Sequence, residues 1–223
     1  RRQRQMCIRD RVKTGRPGNV DWEEPEKVAQ SIKIMKIKHA VITSVDRDDI
    51  KDMGSIIWNE TIKAVRRLNP NTTLETLIPD FQGNKTNIDR IIEAAPEVVS
   101  HNLETVKRLT REVRVQAKYD QSLEVLQYLK QMGVNRTKSG IMLGLGEKEE
   151  EVYETLHDLR NASVEVVTIG QYLQPSRKHL PVKSFITPET FEKYETVAKD
   201  LGFRHVESGP LVRSSYKAHK HLH

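Results

Sequence analysis

Residues 137–147, TKSGIMLGLGE, combine the residue types and spacing of a ligand-holding turn. The apolar run Ile141, Met142 and Leu143 ends in alternating glycines, and an acidic helix is expected directly after it. Glycine lets a flat or charged group approach the backbone, and a helix start offers unpaired N–H donors. Many α/β turns carry GxG, so this motif alone is not specific. The acidic run SVDRDD (44–49) lacks the turn glycine of a calcium loop and reads as an N-cap for the next helix plus ligand contacts, rather than a metal site. In His101-Asn102-Leu103-Glu104 an amide and a carboxylate stand on one side of an extended chain. That pair suits an ammonium or a ribose, or caps a helix. Arg111 and Arg114 carry the forked donors that bind carboxylates, unless they line a solvated helix face. His219, His221 and His223 alternate like a chelating pair, but at a terminus they are expected to be solvent-exposed and idle. SGPLVRSSYKA (208–218) is a polar, turn-like segment bearing Arg213, Ser214, Ser215 and Tyr216.

The elements that must position these groups alternate. Strands are expected over 39–45, 73–78, 97–100, 137–143 and 164–169, with a short last one over 205–207. Helices are expected over 25–37, 54–68, 85–95, 106–110, 120–132 and 147–161. A final helix should open with Thr187 at N-cap and Pro188 at N1 and end at Gly202. This order means a parallel sheet with right-handed crossovers, either open and doubly wound or an incomplete (β/α) barrel. Both bind ligands beyond the carboxyl ends of the strands. Thr43, Ser44, Asp46, Arg47, Asp48, Asp49, Asp80, His101, Asn102, Glu104, Gln171 and Gln174 cluster there, with Lys138 at the start of the fourth strand.

Composition narrows the classes. A chain of 223 residues, 36% hydrophobic and 30% charged, reads as one soluble domain with neither a membrane-length apolar run nor a signal peptide. The net charge of +6 is spread along helices beside Glu and Asp, and no aromatic residues interleave a basic strand, so a nucleic-acid stripe is not indicated. One cysteine, Cys7, excludes a disulfide framework, fits a reducing compartment and argues against a cysteine-built metal site. Residues 1–11, RRQRQMCIRDR, hold five arginines and no apolar period, as a disordered basic arm would.

From Val12 to about Ala218 the motifs VKTGRP, VITSVDRDD, LIPDFQG, HNLETV, YDQSL, TKSGIMLGLGE, GQYLQPSRKHLPV and SGPLVRSSY resemble the lipoyl synthase family of radical S-adenosylmethionine (SAM) enzymes. The resemblance implies an α/β fold, a partial (β/α)6 TIM-type barrel of the radical SAM class, with its first strand missing in this chain. It implies two [4Fe–4S] clusters. One binds SAM and cleaves it reductively to a 5′-deoxyadenosyl radical, and the auxiliary one is sacrificed as the sulfur source. Two sulfur atoms then enter C6 and C8 of a protein-bound octanoyl-lysine. Partners implied are octanoylated lipoyl-domain proteins (2-oxoacid dehydrogenase E2, glycine cleavage H protein) and a reductant such as ferredoxin or flavodoxin, with no nucleic acid and no membrane. The location implied is cytoplasmic, or mitochondrial in a eukaryote.

The same resemblance makes Ser44, Asn102, Glu104 and Arg114 candidates for the methionine and ribose portions of SAM. Leu143, Gly144, Gln171, Tyr172 and Leu173 would border its adenine. Ser214 or Ser215, with Ser215 favoured, would give the auxiliary cluster an oxygen ligand, and Arg213 would govern access to that iron. A thiolate triplet is expected at positions 3, 7 and 10, where this chain has Gln3, Cys7 and Asp10. Cys7 is then the remaining thiolate candidate, matching by coincidence if residues 1–11 are a non-native segment joined to a 12–223 core that lacks its N-terminal part. One thiolate and one serine are too few for either cluster, so the chain as given is expected to be inactive. Biotin synthase is the rival enzyme reading, against which the RSSY ending argues. A cluster-free barrel binding SAM or an acyl-carrier domain is the rival without catalysis.

Overall fold

The computed structural model describes residues 18–222, so Gln3, Cys7, Asp10, the expected foreign segment 1–11 and His223 lie outside the described residues. Six strands form one parallel sheet in sequence order: β1 (His39–Thr43), β2 (Thr73–Leu77), β3 (Val98–Ser100), β4 (Arg136–Leu143), β5 (Val166–Gln171) and β6 (His205–Gly209). Each is joined to the next by helical crossovers: α2 (Ser55–Leu68), α3 (Lys85–Glu93), α4 (Thr110–Val113) with α5 (Tyr119–Gln131), α6 (Glu149–Asn161) and α7 (Pro188–Asp200). The helix α1 (Glu24–Ile34) precedes them. β1 and β6 are the two edges and are mostly half-exposed, while β3, β4 and β5 are buried almost throughout. Of the two arrangements that the alternation allows, the sequential strand order is that of the open, partial barrel that the resemblance implies. No helix among the described residues is long and apolar enough to cross a membrane.

Side chains alternate across a strand, and the two faces here differ in chemistry. Ala40, Leu74 and Val99 pack under α1, α2 and α3 in one apolar cluster. Ile141, Leu143, Val167 and Ile169 pack under α6 and α7 in a second. The alternate positions on the concave side hold Glu75, Ser100, Lys138, Gly140, Thr168, Gly170 and Glu207. Most apolar burial therefore lies between sheet and helices, and the concave side is largely polar or small, with Leu77, Val98 and Val166 among its apolar members.

Element ends depart from the expected ones for local reasons. α1 stops at Ile34 because Lys36 takes a positive φ of 52° and the Ile37 N–H returns to the Ile32 carbonyl at 3.2 Å. β5 begins two residues late because the Val164 N–H closes the end of α6 on Leu159. The helix expected over 106–110 is a 3-10 turn, Lys107–Leu109, running into the short α4. Thr187 caps α7 as expected, its hydroxyl accepting the Thr190 N–H at 3.3 Å.

The terminal histidines correct one expectation. The 3-10 turn Ala218–Leu222 folds back against β1, and His221 is fully buried rather than idle in solvent. Its carbonyl accepts from Arg136 at 2.5 Å, and its ring lies 5.7 Å from that of His205. Tertiary closure of the barrel's lower end, invisible in a local pattern, decides this.

Candidate functional site

The carboxyl ends of β3, β4 and β5 assemble most of the residues singled out in the sequence. After β3 the chain rises to Glu104, which holds a φ of 67° and bridges to Ile141 beside β4. There the Glu104 N–H donates to Gly140 and its carbonyl receives the Met142 N–H, at 2.9 and 2.8 Å. This turn aims Asn102 and Glu104 at each other, Nδ2 to Oε1 at 3.1 Å. Asn102 Oδ1 is buried and has no hydrogen-bond partner. Gly140 makes its room, since a Cβ there would stand 3.1 Å from that oxygen and 2.6 Å from Thr168 Oγ1. A buried acceptor without a donor costs about 1–3 kcal/mol and is exceptional enough to mark a place where a ligand donor belongs.

Arg114 is spent underneath this pair. Its Nη1 donates to the Asn102 carbonyl at 2.9 Å, to the Leu103 carbonyl and to Ser122 Oγ. Ser122 in turn meets His101 Nε2 at 3.0 Å, and His101 Nδ1 meets the Ile78 carbonyl at 3.0 Å. Because a carbonyl only accepts, His101 carries a proton on Nδ1. Arg111, by contrast, is exposed.

The glycine turn corrects the expectation of free donors. Glu147 folds back so that its two carboxylate oxygens accept the N–H groups of Gly144 and Leu145, at 2.5 and 2.9 Å. The turn's anion-binding nest is thus filled from within, and α6 starts at Glu149 instead of Glu147. Gln171 then ties the next loop down, donating to the carbonyls of Leu143, Tyr172 and Ser184 and accepting the Ile186 N–H. Tyr172 is buried with its hydroxyl on the Leu180 carbonyl, while Leu173 is exposed. Sequence reasoning placed these residues beside a ligand without seeing that their side chains first build the wall.

Arg213 reaches the mouth from the other edge. A Cβ on Gly170 would collide with the Val212 carbonyl and come within 3.5 Å of Arg213 Nη1. Ser214 is half-buried and Ser215 exposed on the turn that follows. Ser44 closes β1, donating to the Val45 carbonyl and accepting from Trp58 Nε1 at 3.1 Å. Neither Ser44 nor Ser215 is hydrogen-bonded to the Asn102–Glu104 pair.

Missed in the sequence was the pair beneath the mouth. Lys138 and Glu75 are both fully buried, Nζ to Oε1 at 2.8 Å and Oε2 at 3.1 Å, with Ser100 Oγ donating to Glu75 at 2.7 Å. Lys138 therefore sits in the interior and not at the ligand rim. Burial lowers its pKa, and Glu75 opposes that shift. The available signal was an acid and a base inside two strands that pair into the middle of the sheet.

Two imidazoles make the fold acid-sensitive. Burial, and then the adjacent Arg114, lowers the His101 pKa to about 4; burial, and then Lys138, lowers that of His221 to about 3. Free histidine titrates near 6.5, so below that pH the unfolded chain takes up protons that the native state refuses. Stability is complete above about pH 6.5 and lost as pH falls toward the folded values. Urea unfolding at pH 7.5 and pH 5 should differ by roughly 2–4 kcal/mol, at about 1.4 kcal/mol per pH unit per histidine. Equal midpoints would mean that these rings are not buried neutral.

Comparison with known proteins places this architecture. The model of the radical SAM superfamily matches residues 5–159. SuiB of Streptococcus suis, in its crystal structure with the precursor peptide SuiA, superposes with a TM-score of 0.68 at 10% identity, over 92% of this chain and 45% of that one. The crystal structure of HydG, a maturase of the [FeFe]-hydrogenase, gives 0.65 at 13% identity, over 88% and 51%. Open sheet, polar mouth and matched model define a radical SAM enzyme core. A mitochondrial lipoyl synthase of Nematostella vectensis is 80% identical over 95% of this chain and 73% of its own length. A lipoyl synthase of Flavobacterium johnsoniae is 79% identical over similar shares. The chain belongs to the lipoyl synthase family, the SAM-dependent sulfurtransferases that insert sulfur into a protein-bound octanoyl chain.

The family implies SAM and a [4Fe–4S] cluster, and the residues fit these two unequally. The orphaned Asn102 Oδ1 and the Gly140 hollow suit a polar organic ligand. A four-iron cluster takes thiolates, and the 223 residues contain one cysteine. Among the described residues no three His, Cys, Asp or Glu side chains converge on a metal position. These residues alone do not hold a cluster.

Proposed function

We infer that the mouth formed by β3, β4 and β5 binds the amino-acid and ribose portions of SAM, with Asn102 and Glu104 as the polar contacts. The observation that carries this is the buried, partnerless Asn102 Oδ1, facing a hollow kept open by Gly140. Glu104 is an acceptor for an ammonium or a ribose hydroxyl, and Asn102 offers both a donor and an acceptor. Leu143 and Gly144 with the backbone of 171–173 border the same opening and supply an adenine edge, as the family resemblance implies. Arg114 acts through Asn102 and Leu103, whose carbonyls it holds, and is a positioning residue. When bound to its cluster, SAM supplies a hydrogen-abstracting radical. This chain's part is to orient SAM.

The finer assignments follow the same resemblance. They are two clusters, Ser215 or Ser214 as an oxygen ligand of the auxiliary one, Arg213 guarding that iron, octanoylated lipoyl domains as acceptors, ferredoxin or flavodoxin as reductant, and a cytoplasmic or mitochondrial location.

Calorimetric titration with SAM tests the reading. Asn102→Ala should weaken binding about tenfold, the loss of one or two hydrogen bonds from a desolvated site, without lowering the unfolding free energy by more than about 1 kcal/mol. Unchanged SAM affinity would overturn it. The single cysteine favours a second reading, a barrel that binds SAM or the acyl-carrier domain without chemistry. Reconstitution with iron and sulfide separates the two: charge-transfer absorbance that SAM perturbs supports the enzyme, and SAM binding without iron uptake supports the alternative.

A further inference from the structure

From Glu165 to Glu189 the sequence contains no acidic residue, yet this stretch carries Arg177, Lys178, His179 and Lys183. Its loop portion, 173–187, has no regular secondary structure. Loops of this length inside a compact domain are uncommon and usually functional. It is nevertheless well fixed. Tyr172 holds Leu180, Gln171 holds Ser184 and Ile186, and the Lys183 N–H donates to the Gly144 carbonyl at 2.8 Å. Gln174 and Ser176 both bond His179 across the bend.

What this fixed loop shows to solvent has one sign. Arg177, Lys178 and Lys183 are exposed. None of them forms an ion pair among the described residues. The acids at the start of α6 are already engaged: Glu147 by the glycine turn, Glu149 by Lys193 and Glu151 by Arg108. Two apolar side chains stand among the cations, Phe185 at 74% and Leu173 at 42% exposed. A rigid basic rim around an exposed aromatic ring matches a protein surface with charge complementarity at its edge and an apolar centre.

We propose that the outer face of this loop docks the acidic surface of the acyl-carrying protein domain, holding it over the mouth so that the acyl chain enters beside Gly144. This rests on the family reading, in which the acceptor chain is attached to a protein. Phe185 and Leu173 contact the domain's surface, and Arg177, Lys178 and Lys183 steer it and set its register.

The test compares two ligands of the full chain by fluorescence anisotropy, an octanoylated lipoyl domain and a short octanoyl-lysine peptide. The triple variant Arg177→Glu, Lys178→Glu, Lys183→Glu should raise the Kd for the domain tenfold or more and leave the peptide within about twofold. Raising salt from about 50 to 200 mM should weaken the wild type several-fold and the variant much less. The corresponding triple Gln variant, which removes charge without reversing it, should show about half of the effect on a logarithmic scale and serves if the reversal disturbs folding. An unchanged domain affinity with intact peptide binding would sink the docking surface alone. Equal loss for both ligands would also overturn it, because the loop would then shape the mouth and not the dock. If the wild type binds neither ligand, the acyl-acceptor reading fails and the proposal with it.

Discussion

Replacing Lys138 by Met should destabilise the protein by roughly 3–5 kcal/mol, the cost of breaking a buried ion pair and leaving one charge uncompensated. Glu75 would keep only its Ser100 bond in a place with no access to water. Glu75→Gln should cost less, because the amide still accepts from Lys138, whose pKa burial already lowers, so the lysine can shed its proton instead of staying as a bare charge. Glu75→Leu combined with Lys138→Met should recover much of the loss, since a buried pair replaced by apolar groups of similar volume is often neutral. Urea denaturation of the two single variants and the double variant gives the coupling directly. A Lys138→Met variant within 1 kcal/mol of wild type would mean that the pair is hydrated or not formed. Such a pair also fixes register. Ser100 is opposite Lys138 across β3 and β4, and Glu75 reaches both from β2, so a one-residue slip of any strand would bury a bare charge.

The alternation of apolar strands with capped helices was legible because it is local: 3.6- and 2-residue periods, Thr187-Pro188 at a helix start, Gly133 and Gly202 at helix ends. The position of the mouth was legible too, because in parallel α/β sheets it follows from strand direction. Resemblance, not periodicity, chose particular residues within it. Legibility failed wherever an outcome depended on contacts between distant strands. Glu75 and Lys138 are 63 residues apart, and nothing near either one announces the other. Glu147 reads as the first acid of a helix and becomes the internal occupant of the glycine turn. His221 reads as a loose end and becomes a buried ring, because the last turn closes the gap at the start of β1 and β6. The first and last are placed by topology, whereas Glu147 closes on donors two and three residues away, in competition with its role at the helix start.

Gly144 joins the mouth to the basic loop, and Gly144→Ala should cost about 2–5 kcal/mol. Two terms add. Gly144 holds a φ of +98°, where an L side chain is strained by roughly 1–2 kcal/mol. A Cβ there would also overlap Gln171 Nε2 and the Ser184 carbonyl. Neither gives way easily, since Gln171 is already committed to three carbonyls and the Ser184 oxygen is backbone. Overpacking of this kind adds about 1–3 kcal/mol. Gly133→Ala separates the terms, because Gly133 holds a φ of +86° with nothing within 4 Å of its would-be Cβ. It should cost only about 1 kcal/mol. Denaturation of both variants measures the difference, and hydrogen exchange at Ile186 and Lys183 reports where it is lost. If strain alone mattered the two alanines would cost the same. A larger loss at Gly144, with faster exchange confined to the loop, shows that the Gln171 crosslink fixes the basic rim in place, so SAM affinity and carrier-domain affinity should fall together in that variant.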